Sequence, residues 1–256
     1  MTEFEQDVHR RLKRNADDAN LSRSARDFME ASIASQYSYN WFWLGRPIIQ
    51  YPQDVCAMQE LVWRIRPDVI IETGIAHGGS LILSASLLAT LDLCDATAKG
   101  EMLDPTNPKR KVIGVDIDIR AHNRTAIEEH PLSSRIKLIQ GSSIDPEIVA
   151  EVAAAAAHAK TVLVCLDSNH THEHVLAELR HYASMVSVGS YCVVFDTVIE
   201  NMPKEMYPNR PWGPGNNAMT AVDAYLAENA CFEIDTEMDA KLQISVAPRG
   251  YLKRVR

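Results

Sequence analysis

Val69-Ile70-Ile71-Glu72-Thr73-Gly74-Ile75-Ala76-His77-Gly78-Gly79-Ser80 decides the architecture of this chain. A short β-branched run passes into a glycine-rich turn and then into an apolar stretch from Gly79 to Leu91, so a buried strand, a tight turn and a helix follow one another. Downstream the alternation repeats. Strand-like runs at Val112 to Asp116, Ile136 to Gln140, Val162 to Asp167 and Tyr191 to Asp196 alternate with helix-compatible segments at Arg120 to Glu129, Pro146 to Ala157, Thr171 to Met185 and Asn217 to Glu228. This is the pattern of strand and crossover-helix units around a mostly parallel sheet, an α/β class with a Rossmann-like sheet. Two further strands are expected at Phe232 to Asp235 and Leu242 to Ala247, making seven; the short polar segment between them leaves no room for a crossover helix, so they should pair antiparallel.

Upstream of residue 67 the composition changes. Leu21 to Ala34 can form an amphipathic helix, and Tyr37, Tyr39, Trp41, Phe42 and Trp43 crowd together before Gly45, Pro47 and Pro52. Residues 1–66 therefore read as a helical cap with an aromatic lid segment, and residues 67–256 as the ligand-binding sheet domain. Pro105, Asn107 and Pro108 mark a surface excursion between the first two strand units. The 256 residues carry 26 Lys and Arg against 34 Asp and Glu, a formal net charge of −8, with no basic block suited to a phosphate backbone; a nucleic-acid partner is disfavoured. The longest uninterrupted apolar runs fall well short of the ~20 residues of a membrane span, and Glu3, Glu5 and Asp7 occupy the place of a secretory signal's basic start. The five cysteines are odd in number and widely spaced, which suits reduced thiols and a cytoplasmic setting.

The glycine-rich turn is a nucleotide-binding device, because glycine lets backbone amides approach a ligand and the helix start offers free N–H donors. Its spacing is G-x-x-x-G-G, not the G-x-G-x-x-G that receives a dinucleotide pyrophosphate. Glu72 at the strand tip also argues against phosphate, but favours a ligand bearing ammonium and sulfonium charges. S-adenosylmethionine carries both. Gly74, His77, Gly79 and Ser80 are the expected contacts in the turn, although His77 can equally fill the loop. Asp116, ending the next strand, is suited to accept both ribose hydroxyls, or alternatively caps the following helix. Ser142 and Ser143, closing the third strand, are candidates for the adenine edge or form an ordinary turn.

A second constellation runs from Cys165 to His174, with a partner at Phe195-Asp196-Thr197. Adjacent parallel strand tips lie ~5 Å apart, so Asp167 and Asp196 can share one hard divalent cation, Mg2+ being preferred by oxygen ligands. His170 then faces the crevice as a candidate general base. A zinc site from His170, His172 and His174 is the alternative, disfavoured because positions two apart on a helix diverge. The segments Trp41 to Pro47 and Asn209 to Asn217 combine aromatic faces, arginine and turn residues. They suit either a lid over a polar ring substrate or contacts between copies of the chain; a homo-oligomer is expected.

Several of these stretches together resemble the rhamnosyl O-methyltransferase and cephalosporin hydroxylase family of S-adenosylmethionine-dependent O-methyltransferases: Trp43 to Pro47, Ile71 to Ser80, Gly114 to Arg120, Leu166 to His172 and Arg210 to Gly213. The resemblance covers residues 35–255. It implies the class I methyltransferase sheet with a reversed last strand, Mg2+ on Asp167 and Asp196, and His170 in the base position. The acceptor expected is a hydroxyl of a sugar, glycan or sugar-like metabolite. Some members place a further acid directly before the second aspartate, where this chain has Phe195, so the third metal ligand is open among Thr197, Glu200 and water. An oxygenase triad, implied by the word hydroxylase, is not supported by a parallel α/β pattern. A nicotinamide-dependent oxidoreductase and a non-catalytic protein keeping the fold are the rivals.

Overall fold

The computed structural model describes residues 1–256. Its main sheet uses β3 (Val69–Thr73), β4 (Lys111–Asp116), β5 (Ile136–Gln140), β6 (Val162–Leu166), β7 (Tyr191–Val194), β8 (Phe232–Ile234) and β9 (Tyr251–Arg254), in the order β5-β4-β3-β6-β7-β9-β8. β1 (Trp41–Trp43) and β2 (Arg46–Ile48) form a separate hairpin. The first five strands of the main sheet pair in parallel, and β9 runs antiparallel between β7 and β8. The chain leaves β3 toward β4 and β5, then returns to β6 on the opposite side. The carboxyl ends of β3 and β6 thus flank a topological switch point, where open α/β sheets bind ligands.

Side chains alternate across each strand, and the core divides accordingly. Ile71, Val115, Val164 and Val194 face the helices α6 (Pro146–Ala156), α7 (His172–Tyr182) and α8 (Ala218–Glu228). Ile70, Val112, Leu163 and Val193 face the other layer, which includes α3 (Pro52–Ile65), α4 (Gly79–Lys99) and α5 (Ala121–Glu128). The helix α4 is long and apolar enough, by length and composition, to pass for a membrane span; here Leu81, Ile82, Ala85, Leu88 and Leu91 are buried in the core. Its one deeply buried charge, Asp92, is paired with Arg110 and Arg135. Two more helices, α1 (Glu3–Ala16) and α2 (Ala19–Ala34), precede the hairpin.

One strand lies elsewhere than its pattern predicts. Residues 242–247 are not a strand. The carboxylate of Asp235 accepts from the amides of Glu237 and Met238 and starts a helix, α9 (Thr236–Leu242), which ends where Gln243 takes a left-handed φ of 56°. The apolar signal of Val246 and Ala247 comes from packing beside α3, where the amide of Val246 donates to Asp54. The last strand is Tyr251–Arg254, and the antiparallel pairing with β8 holds in that register. Asp54 itself is wholly buried. Its carboxylate accepts from the hydroxyls of Ser245 and Tyr251, and burial pushes its pKa up to about 6 despite those bonds.

Candidate active site

A cleft of about 470 Å³ opens at the carboxyl edge of the sheet. Its floor is the turn after β3, from Gly74 to His77, with Gly79, Ser80 and Asp116; Asp167, Ser168, His170 and Asp196 form one wall. Gln36, Tyr39 and Tyr51 come from the amino-terminal segment, and Tyr207, Arg210 and Trp212 from the loop before α8.

The turn is glycine-rich for a packing reason as well as a binding one. Gly74 has φ +89°, and a Cβ there would stand 2.1 Å from the carbonyl oxygen of Asp167. Only glycine lets the ends of β3 and β6 approach so closely. A Cβ at Gly79 would meet the Pro47 carbonyl at 2.2 Å, which seats α4 against the hairpin. The carboxylate of Asp116 shapes the turn further. Its Oδ2 accepts from the amides of Ile75 and Ala76 at 2.8 and 3.3 Å, and its Oδ1 from Asp118 at 3.0 Å, while the residue still borders the cleft. It does not cap α5, whose N-cap is Arg120.

Three expected cofactor contacts stand outside the lining of the cleft. The period-two alternation of β3 turns Glu72 beneath α4, beside the hydroxyls of Ser80 and Ser84, with its Oε1 buried and unpartnered. Ser143 is buried too, its hydroxyl 3.1 Å from His174 Nε2 and its carbonyl accepting from Tyr182. Ser142, next to it, is half-buried and likewise away from the cleft.

Burial raises the Glu72 carboxyl from 4.5 to about 7, the nearby hydroxyls opposing the shift. A carboxyl whose pKa rises on folding holds its proton more tightly in the folded state. The stability it contributes is therefore present in acid and is lost as pH climbs between those two values, by on the order of 3 kcal/mol. Glu72→Gln is expected to raise the melting temperature at pH 8 by on the order of 5 °C, with a much smaller gain at pH 4. Thermal melts at the two pH values check this; equal shifts at both would remove the ionisation from the account.

The wall carries the densest chemistry. Donor atoms of Asp167, His170 and Asp196 all lie within 4.8 Å of one another. Asp167 follows β6 and Asp196 lies two residues beyond β7, so the parallel register brings the two acids side by side. Asp196 adopts a left-handed φ of 57°, a conformation aspartate tolerates at a cost of order 1 kcal/mol. Its Oδ2 is 3.0 Å from His170 Nε2. Neither aspartate is paired with a lysine or arginine; burial and the neighbouring Asp196 carboxylate push the Asp167 carboxyl well above its ordinary range. An oxygen-rich, uncompensated anionic pocket with one imidazole fits a hard divalent cation.

The side chains considered for a third ligand are engaged elsewhere. Thr197 donates to the Pro248 carbonyl, and Glu200 accepts from the Gly215 amide and the Asn217 side chain. Phe195 is buried in the core of the α3 and α4 layer. His170 is the third group of the cluster, in addition to its place beside Asp196. The other two histidines diverge: His172 Nδ1 lies 2.9 Å from the Thr220 hydroxyl, and His174 Nε2 lies 3.1 Å from the hydroxyls of Ser143 and Ser168. They complete no zinc site with His170.

Arg46 is the arginine of the Trp41 to Pro47 segment. Its guanidinium donates to the His77 carbonyl and to Asn123 Oδ1, while Asn123 donates to the Ala76 carbonyl, so the hairpin clasps the glycine-rich turn from outside. Trp43 Nε1 donates to Ser86 on α4. Phe42 and Leu44 remain exposed at 68% and 58%. In the second aromatic segment, Trp212 packs edge-on against the His170 ring at 4.7 Å. Tyr51 and Tyr207 also line the cleft, and in the sequence only the closeness of Tyr207 to Arg210 points to it.

Comparison with known proteins shows the family and the fold. Rhamnosyl O-methyltransferases of Mycobacterium tuberculosis and Mycobacterium bovis are 28% identical over 203 residues, 78% of this chain and 73% of theirs. That of Mycobacterium leprae is 25% identical over 235 residues, 87% of this chain and 91% of its own. Among solved structures, CmcI with Mg and SAM superposes with a TM-score of 0.53 at 18% identity, covering 85% of this chain and 78% of that one. The apo structure of CmcI gives 0.54 at 18% identity, covering 85% and 77%; at this level of identity the likeness speaks to the fold. The family model for Rhamnosyl O-methyltransferase/CmcI matches residues 35–255. The chain belongs to that family of S-adenosylmethionine-dependent O-methyltransferases.

Proposed function

We propose that this protein transfers the methyl group of S-adenosylmethionine to a hydroxyl of a sugar or sugar-like acceptor, with Mg2+ at the paired aspartates. The observation that carries the proposal is the Asp167, His170 and Asp196 cluster, within 4.8 Å, in the same cleft as the turn after β3. The mycobacterial relatives are named for rhamnosyl acceptors, which favours a deoxysugar hydroxyl.

Methyl transfer is an in-line displacement, so alignment of the acceptor oxygen, the methyl carbon and the sulfur dominates the barrier. Gly74 to Ser80 and Asp116 form the cofactor side of the cleft. Tyr39, Tyr51, Tyr207 and Trp212 offer faces and hydroxyls to an amphipathic ring on the acceptor side. His170 takes the hydroxyl proton, and Asp196 Oδ2 fixes the imidazole and stabilises the imidazolium that forms. Asp167 and the remaining oxygen of Asp196 would hold the cation, which as a Lewis acid lowers the pKa of the acceptor hydroxyl.

Incubation with labelled S-adenosylmethionine, Mg2+ and a panel of rhamnosides, other deoxysugars and sugar nucleotides tests the proposal. Label should enter an acceptor and chelation should stop it. Tight binding of NADH without binding of S-adenosylhomocysteine would instead favour the oxidoreductase.

A further inference from the structure

Arg210 borders the cleft, yet no carboxylate pairs with it. It is the one lysine or arginine among the residues lining the cleft; Arg46, nearby, is engaged by the His77 carbonyl and Asn123. The Arg210 guanidinium lies 5.2 Å from the centre of the Trp212 ring, and the same ring meets His170 at 4.7 Å. One indole thus contacts both an unpaired cation and the proposed base. The remaining charged groups on the cleft are Asp116, Asp167 and Asp196, all acidic. Arg210 is thus the one basic side chain of Lys or Arg type on a cleft whose other charged groups are carboxylates.

We infer that Arg210, seated on Trp212, receives an oxyanion carried by the acceptor, so that the substrate is a sugar bearing a phosphate or carboxylate group rather than a neutral glycoside. Guanidinium matches the planar or tetrahedral oxygens of both groups through two parallel N–H donors, and stacking on an indole removes part of its rotational freedom before the ligand arrives. A ring attached to an anion placed there can lie along Trp212, whose indole also packs against His170. This assignment rests on the proposed methyl transfer for its geometry, and names the substrate class of that site.

Calorimetry on the full chain loaded with Mg2+ and S-adenosylhomocysteine separates the two. Loading is measured first, and failure to load overturns the methyltransferase proposal itself. Three probes follow: rhamnose 1-phosphate, galacturonate and methyl rhamnoside. In the loaded protein, at least one of the two anionic probes is expected to bind about tenfold or more tightly than the neutral one. The phosphate and the uronate arms tell which oxyanion is read. Arg210→Gln should erase the preference while methyl rhamnoside affinity stays put, and Arg210→Lys should keep part of it, since the charge remains but the fork is lost. Equal affinities for all three probes, or a preference that survives in Arg210→Gln, overturns the assignment and leaves the methyl-transfer proposal standing.

Discussion

Replacing His170 by alanine is expected to lower turnover by about 10²-fold or more while leaving S-adenosylhomocysteine affinity within a factor of two. The expectation follows from the position of the imidazole. It is oriented by Asp196 at 3.0 Å and held from the side by Trp212, in the cleft rather than in the core. Added imidazole should restore part of the rate of the variant, as replacing a missing base does. His170 also belongs to the cluster that fits a cation, so Mg2+ affinity must be measured in the same variant. A fall in turnover with Mg2+ affinity unchanged assigns the base. Near-normal turnover would falsify the role.

Asp167→Asn is expected to have an effect at least as large, about 10³-fold on turnover, because it removes one of two carboxylates that define the cation site. A second readout is independent of catalysis. Mg2+ should raise the melting temperature of the wild-type protein, by the equivalent of about 2.7 kcal/mol at a hundred times the dissociation constant, and leave the variant unmoved. Without Mg2+ the order reverses. The folded state pushes the Asp167 carboxyl above its ordinary range through burial and the Asp196 charge. Ionising it therefore costs stability, and that cost is fully present above the folded pKa and absent in acid. The metal-free variant should melt higher than the metal-free wild type at pH 8 and lose that advantage toward pH 4. A Mg2+-induced shift of equal size in both proteins would sink the assignment.

The strands β3, β6 and β7 were legible because each is buried on both faces and reads as a near-continuous apolar run, which few other structures produce. Asp167 and Asp196 were legible for the same reason: a polar residue directly after such a run must stand at the sheet edge. Glu72 misled. It occupies the fourth position of a five-residue strand, so its direction is set by alternation rather than by nearness to the turn, and it ends beneath α4. The reversed strand was misplaced because Val246 and Ala247 are apolar for packing beside α3, while α9 is too short to announce itself by periodicity. Ser143 is buried too: a small polar residue after a strand serves a hydrogen-bond network as readily as a ligand.

Local chemistry along the chain was enough to establish which segments are strands, that the sheet is mostly parallel, and which acids and histidine close its edge, since those properties depend on near neighbours and on the period of burial. The convergence of Arg46 on the glycine-rich turn, of Trp212 on His170 and of Ser245 on Asp54 emerged only in three dimensions. Each pair is separated by at least 31 residues, and no periodicity links such positions; contact is decided by how the layers pack.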